Sequence, residues 1–225
     1  MALDLRGTKT DITSICCDLG SAVEIREASS MILKNGTPDV LLNNAGFGVY
    51  RPFERSSPEE IDRLLEVNLL GHVRLTKLLL EPMIARGSGT IVFMTSVAGR
   101  MPITPNATYC AAKYAMMGLA ATLRAELHRF GIGVVAICPG RVDTSFFDHE
   151  TFRRRTLGVE TKGMISADRV AAVTISAIEK NREVTFVPRR LGVISWLYSA
   201  LPFAIRPIYD RIVSSRMETI YRDEA

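Results

Sequence analysis

The segment Tyr109-Cys110-Ala111-Ala112-Lys113 sets a phenol and an amine four residues apart. On a helix that spacing brings both polar heads to one face. A cation beside a phenol favours the phenolate, so such a tyrosine can exchange a proton with a hydroxyl or carbonyl oxygen nearer neutral pH. The spacing arises by chance in many chains, but here it occurs once and in suggestive company. Ser96 follows the β-rich run Ile91–Thr95 and begins the small-residue turn Ser96-Val97-Ala98-Gly99. A hydroxyl at the carboxyl end of a parallel strand can donate to a developing oxyanion; the alternative reading is a turn or cap serine. Asn68 falls on the apolar stripe Ile61, Leu64, Leu65, Leu69. A buried amide needs partners or costs roughly 1–3 kcal/mol. It reads either as a satisfied core asparagine or as a group that orders a water or holds a helix kink near the reactive centre.

These side chains need a scaffold, and the chain alternates short apolar strands with amphipathic helices, the pattern of an α/β fold with a parallel sheet. Strands are expected at Ile12–Cys17, Asp39–Leu42, Gly89–Thr95, Gly131–Cys138 and Glu183–Val187. Ser21 with Glu24 has capping-box form and opens a helix that Gly36 stops. Ser57-Pro58-Glu59-Glu60 starts a second, long helix. Further helices are expected over Thr108–Phe130 and Ser166–Lys180, with a mobile loop over Arg141–Met164 between them. From Arg189 the tail is apolar and helical in character, broken by Pro202 and Pro207.

The bulk numbers narrow the function classes. With 225 residues and 47% hydrophobic composition, one sizeable core and a single domain over 1–225 are expected. A net charge of +4 without dense basic blocks gives no argument for nucleic acid, and Arg153-Arg154-Arg155 reads as a solvated loop. Four cysteines without CxxC or Cys/His spacing read as reduced side chains, and no metal site is expected. The first residues have no apolar core like that of a signal peptide, and no uninterrupted apolar run reaches the ~20 residues of a membrane span. A cytoplasmic location follows as the expectation.

Together Asn43-Asn44-Ala45-Gly46, Asn68, Ser96, Tyr109 with Lys113, and Pro139-Gly140-Arg141-Val142-Asp143-Thr144 stand in the order and approximate spacing of the short-chain dehydrogenase/reductase family. The chain resembles that family over about residues 10 to 187. The resemblance implies a Rossmann-like doubly wound parallel sheet and an oxidoreductase that interconverts a carbonyl and a secondary alcohol with NADP or NAD. It implies Tyr109 as general acid/base and Lys113 as the group that lowers its pKa and binds the nicotinamide ribose. Ser96 would orient the substrate oxygen, and Asn68 would support a proton relay through water. Asp18 would face the adenine; Asn44, Ala45 and Gly46 would line the adenosine side; Pro139, Gly140, Val142 and Thr144 would flank the nicotinamide. Phe146, Phe147 and Phe152 would belong to a substrate lid. The long helices from Pro58 and Thr108 would suit a homodimer.

The departure from the family is the phosphate cradle. None of the sixteen glycines has GxGxxG or GxxxGxG spacing, and the chain begins directly with the Ile12–Cys17 segment. An N-terminally truncated sheet is therefore expected, with two unpaired edges and Ile12–Cys17 isolated. Met1 reads as an internal methionine of a longer ancestral chain or as the start of a shortened isoform; the alternative is a compensating strand from another chain. A second class of function stays open: a catalytically silent relative that acts by binding or dimerising. Residues 189–225 form a helical tail, read either as packed over the substrate cleft or, through 191–205, as an interfacial membrane helix with snorkelling arginines. An apolar lid and tail suit a hydrophobic carbonyl or alcohol substrate.

Overall fold

A computed structural model describes residues 13–148, 150–153 and 163–223. Its centre is a four-stranded parallel sheet in the order β1-β2-β3-β6, built from β1 (Val40–Asn43), β2 (Gly89–Met94), β3 (Ile132–Pro139) and β6 (Val184–Val187). A short second ladder pairs β4 (Val142–Asp143) with β5 (Ile165–Ser166). The fold is α/β with helices on both faces, as the alternation along β2 requires. Ile91 and Phe93 point into a core shared with α3 (Gly71–Arg86) and α4 (Ala107–Leu127). Val92 points the other way, with Val135 and Ile137, onto Val170 and Ala177 of α6 (Ala167–Glu179). Each fully buried Val, Ile or Phe among them contributes about 1.5–3 kcal/mol.

Local chemistry sets the helix ends. α1 (Ala22–Lys34) is capped by Ser21, whose Oγ accepts from the Glu24 amide. The full capping box expected there does not form, because the Glu24 carboxylate turns instead to the Asp18 N–H at 2.8 Å. At α2 (Pro58–Leu65) the box is complete between Ser57 and Glu60. Gly36, at φ 112°, follows the C-cap of α1.

Three expectations are corrected. Residues 13–17 form no strand. Their β-branched residues favour extension, but a strand persists only when its backbone groups are paired, and no described strand pairs with them. Ile12 lies outside the described residues. For the same reason β1 is a sheet edge, with Val40 and Leu42 each 43% exposed. The stretch read as one mobile loop over 141–164 is partly built: β4, a 3-10 turn at Ser145–Asp148 and α5 (Glu150–Arg153) lie within it. Residues 154–162, with most of the arginine cluster, lie outside the described residues. Finally, the tail forms α7 (Arg190–Ala200) and α8 (Pro202–Asp223), and only Pro202 marks a break. Pro207 lies inside α8 on its exposed side, where a carbonyl left without a donor can bond water.

Candidate active site

The carboxyl ends of β1, β2 and β3 open onto a largely apolar cleft of about 1570 Å³. β2 delivers Met94, Thr95 and Ser96 to its floor. Thr95 anchors the strand end by donating to the Ile137 carbonyl at 2.7 Å. Ser96 caps the 3-10 turn Val97–Gly99, its Oγ accepting from the Ala98 amide at 3.1 Å, and it also lines the cleft. The cap reading of Ser96 is thus met, on a residue that also faces the cleft. Gly99 lets this turn press on α4: a Cβ there would stand 2.7 Å from the Lys113 carbonyl oxygen.

α4 brings Tyr109 and Lys113 to the cleft on one face. Lys113 is buried, and its Nζ donates to the Met94 carbonyl at 3.0 Å and reaches Met116 Sδ at 3.8 Å. Burial pulls its pKa down to about 8. The Lys113 ammonium stands 5.5 Å from the centre of the Tyr109 ring. The expectation that this cation would lower the phenol's pKa is not met here. Burial dominates and pushes Tyr109 above the ordinary tyrosine range, with the Ser96 side-chain hydrogen-bonding interaction working the other way.

Asn68 sits in a π turn, Glu66–Leu70, where the Gly71 amide bonds back to the Glu66 carbonyl. Such bulges rotate a helical residue out of register, often at functional sites. The turn drives Asn68 fully inside, and its Nδ2 donates to the carbonyls of Phe47 at 3.0 Å and Leu64 at 3.1 Å. Its Oδ1 has no partner among the described residues. Asn68 therefore stands where the helix departs from α geometry. Gly46 packs on this amide so closely that a Cβ would come within 2.4 Å of Asn68 Oδ1.

The sequence reading missed His72. This buried imidazole bonds through Nε2 to the Ala45 carbonyl at 2.7 Å. Because a carbonyl only accepts, Nε2 carries the proton. Nδ1 is without a partner among the described residues. Burial first, and the Lys113 charge to a lesser degree, lower its pKa to about 4. Its position four residues after Asn68 was the available signal.

Asn44, Ala45, Gly46, Pro139, Gly140, Val142 and Thr144 also line the cleft. Asp18 does not: Arg63 grips its carboxylate at 2.9 Å on both oxygens, and that hydrogen bonding holds it below the usual carboxylate range. Phe146 packs edge-on to Tyr109 at 5.5 Å, and Phe147 and Phe152 complete an aromatic cluster with Tyr50. Leu191 of α7 and Tyr209 of α8 form the opposite wall, with the Tyr209 hydroxyl donating to the Pro102 carbonyl. Among the described residues no group of three or more His, Cys, Asp or Glu is placed to hold a metal ion.

The chain that carries this cleft is similar to known proteins. The model of the short chain dehydrogenase family matches residues 1–154. The 17-beta-hydroxysteroid dehydrogenase 13 of Rattus norvegicus is 30% identical over 207 residues, covering 90% of this chain and 67% of that protein. The probable oxidoreductase EphD of Mycobacterium tuberculosis (strain ATCC 25618 / H37Rv) is 30% identical over 193 residues, 80% of this chain. The chain spans 33% of the length of that relative. Among solved structures, the alcohol dehydrogenase from the archaeon Thermococcus sibiricus complexed with 5-hydroxy-NADP superposes with a TM-score of 0.65 at 28% identity, covering 76% of this chain and 70% of that one.

Proposed function

This chain belongs to the short-chain dehydrogenase family, and on that footing we propose that it interconverts a carbonyl and a secondary alcohol on a hydrophobic substrate, using NADP or NAD, with Tyr109 as general acid/base. The observation that carries the reading is the convergence of Tyr109, Ser96, Lys113 and Asn68 on one cleft at the carboxyl ends of parallel strands. The relative named as a hydroxysteroid dehydrogenase and the NADP-derivative-bound structure agree with the reaction type and the cofactor.

The residues fit the nicotinamide end of such a cofactor. An ammonium has three donors, and Lys113 directs two of them at Met94 and Met116, which leaves one for a ribose hydroxyl. The unpartnered Asn68 Oδ1 beside Gly46 is a second polar anchor in the same region, suited to a water. When bound, the nicotinamide supplies or accepts the hydride.

In the reductive direction Ser96 donates a hydrogen bond to the substrate oxygen as negative charge gathers there. Tyr109, held protonated by its burial, then gives its proton to that oxygen. An alkoxide is a stronger base than a phenolate, so the transfer runs downhill. Lys113 balances the charge left on Tyr109, from a site where the low dielectric strengthens its effect. In the oxidative direction the phenol must first lose its proton, which burial opposes and the Lys113 charge favours. Phe146, Phe147 and Phe152 keep water from the reacting oxygen and give an apolar substrate its contacts.

The test is Tyr109→Phe, measured as NADPH-dependent reduction of a panel of apolar ketones beside equilibrium binding of NADPH and NADH. Turnover should fall by about 10²–10⁴-fold with cofactor binding retained. Unchanged turnover would sink the role of Tyr109. A folded wild-type sample that binds neither nucleotide would sink the reaction.

A further inference from the structure

Helices α7 and α8 form a V, bent by 112°. No single described helix is long and apolar enough to cross a membrane. On α7, Leu191, Ser195 and Tyr198 turn toward the body of the protein. That leaves Val193, Trp196 and Ala200, at i, i+3 and i+7, as an outward stripe. Val193 is 60% and Trp196 64% exposed, and just past the elbow Phe203 is 95% exposed. Burial of large apolar groups is the main driving force of folding, so a tryptophan and a phenylalanine left in water on either side of one elbow need an account. The inner side of the V is already committed. Tyr198 and Tyr209 stack edge-to-face at 5.3 Å, and Tyr209 bonds to Pro102, so the outward stripe cannot turn inward without breaking both contacts.

Charge brackets the stripe. Exposed Arg189 and Arg190 stand at its start, and exposed Arg206, its guanidinium 5.8 Å from the centre of the Tyr198 ring, and Arg211 lie beyond the elbow beside Asp210. We propose that the α7–α8 elbow docks on the surface of an anionic membrane. Trp196 and Phe203 enter the boundary between headgroups and acyl chains, and the four arginines meet lipid phosphates. Aromatic residues at the insertion point with cations along the rim are the combination that holds an element in the interfacial layer. Ile194 and Ile212 line the cleft and stay exposed beside this face. On the proposed reaction, a membrane-dissolved ketone or alcohol would therefore enter the cleft from the bilayer; the docking itself does not depend on that reaction.

Trp196 is the chain's single tryptophan and so reports on its own surroundings. The full chain is titrated with vesicles of phosphatidylcholine alone and of phosphatidylcholine mixed with phosphatidylserine. Emission should shift to the blue and be quenched by brominated acyl chains with the mixed vesicles, and added salt should weaken binding. Phe203→Ser should lower partitioning about tenfold or more while leaving the reporter in place. Arg189→Gln with Arg190→Gln should weaken binding to the mixed vesicles and leave the neutral ones unchanged. No blue shift with either vesicle overturns the proposal, and equal binding to both overturns the arginine contacts. A blue shift that grows with protein concentration without lipid, alongside a rise in mass, overturns it in favour of a second copy.

Discussion

The floor of the cleft and the tail that walls it reverse the usual distribution of polarity. Asn68 and Lys113 at the floor, and Asn43 and His72 packed behind it, are 0%, 4%, 1% and 1% exposed. In the tail, large apolar side chains face outward. The two arrangements differ in what they cost the fold. A buried polar group is costly unless each of its atoms finds a partner, and here Asn43 Nδ2, Asn68 Nδ2 and His72 Nε2 find acceptors while Asn43 Oδ1, Asn68 Oδ1 and His72 Nδ1 have no partner among the described residues. An exposed apolar group costs little to the isolated fold; it forgoes stabilisation that a second surface can supply. The floor is thus fixed by internal constraint, whereas the tail gains only when something covers it. Titration and substitution should separate the two regions.

The largest effect is expected at Lys113. Its pKa in the folded protein is about 8 against an ordinary 10.5. Between those values the unfolded chain binds the extra proton, so stability must rise with pH across that window. The shift corresponds to about 3 kcal/mol, fully present above pH ~10.5 and lost as pH falls to about 8. Lys113→Met removes this dependence and, with it, the charge that supports Tyr109. Urea unfolding of both proteins at several pH values between 8 and 10.5 should show a gap that changes with pH. A constant gap would mean that Lys113 is solvated, and the contrast with the tail would fail. Turnover of the variant should fall in parallel with that of Tyr109→Phe.

His72 probes the other end of the scale. With a folded pKa of about 4 against an ordinary 6.5, its contribution is present above pH ~6.5 and lost as pH falls toward 4, a change of about 3 kcal/mol. His72→Gln keeps a donor for the Ala45 carbonyl without a titrating ring. The variant should resist acid better than the native protein, and thermal unfolding at pH 7 and pH 5 would measure it. Equal acid sensitivity would show that His72 is hydrated rather than sealed beneath the turn at Asn44–Gly46.

What could be read in the sequence follows the same division. Tyr109, Lys113, Ser96 and Asn68 could be placed because strand ends and a helical face assign positions to residue types, and the four do share one cleft. The sheet's exposed edge at Val40 and Leu42 agrees with the expectation drawn from the family resemblance, whose preceding strand this sequence lacks. His72 was passed over because the π turn at Glu66–Leu70 changes which residues share a face, and nothing in simple periodicity announces a π turn. Residues 13–17 look like a strand because β propensity is local, whereas pairing is not. Asp18 was assigned by position alone, and the partner that claims it, Arg63, lies 45 residues away. The order within 141–148 rests on pairings such as the Ile165 amide to the Arg141 carbonyl at 2.9 Å, which no composition encodes.

The smallest effect is expected in the tail, and its smallness is the point. At 95% exposure Phe203 has almost no contact to lose, so Phe203→Ser should leave stability in lipid-free buffer within about 0.5 kcal/mol of the native protein. Thermal unfolding without vesicles measures this directly. A clear loss of stability would place the ring against protein, removing it as a docking group and with it the contrast between a sealed floor and an open wall. If stability holds while vesicle binding falls, the side chain is doing its work on a surface outside the molecule. The cleft then has two chemically distinct boundaries, one set by buried donors and one by the membrane.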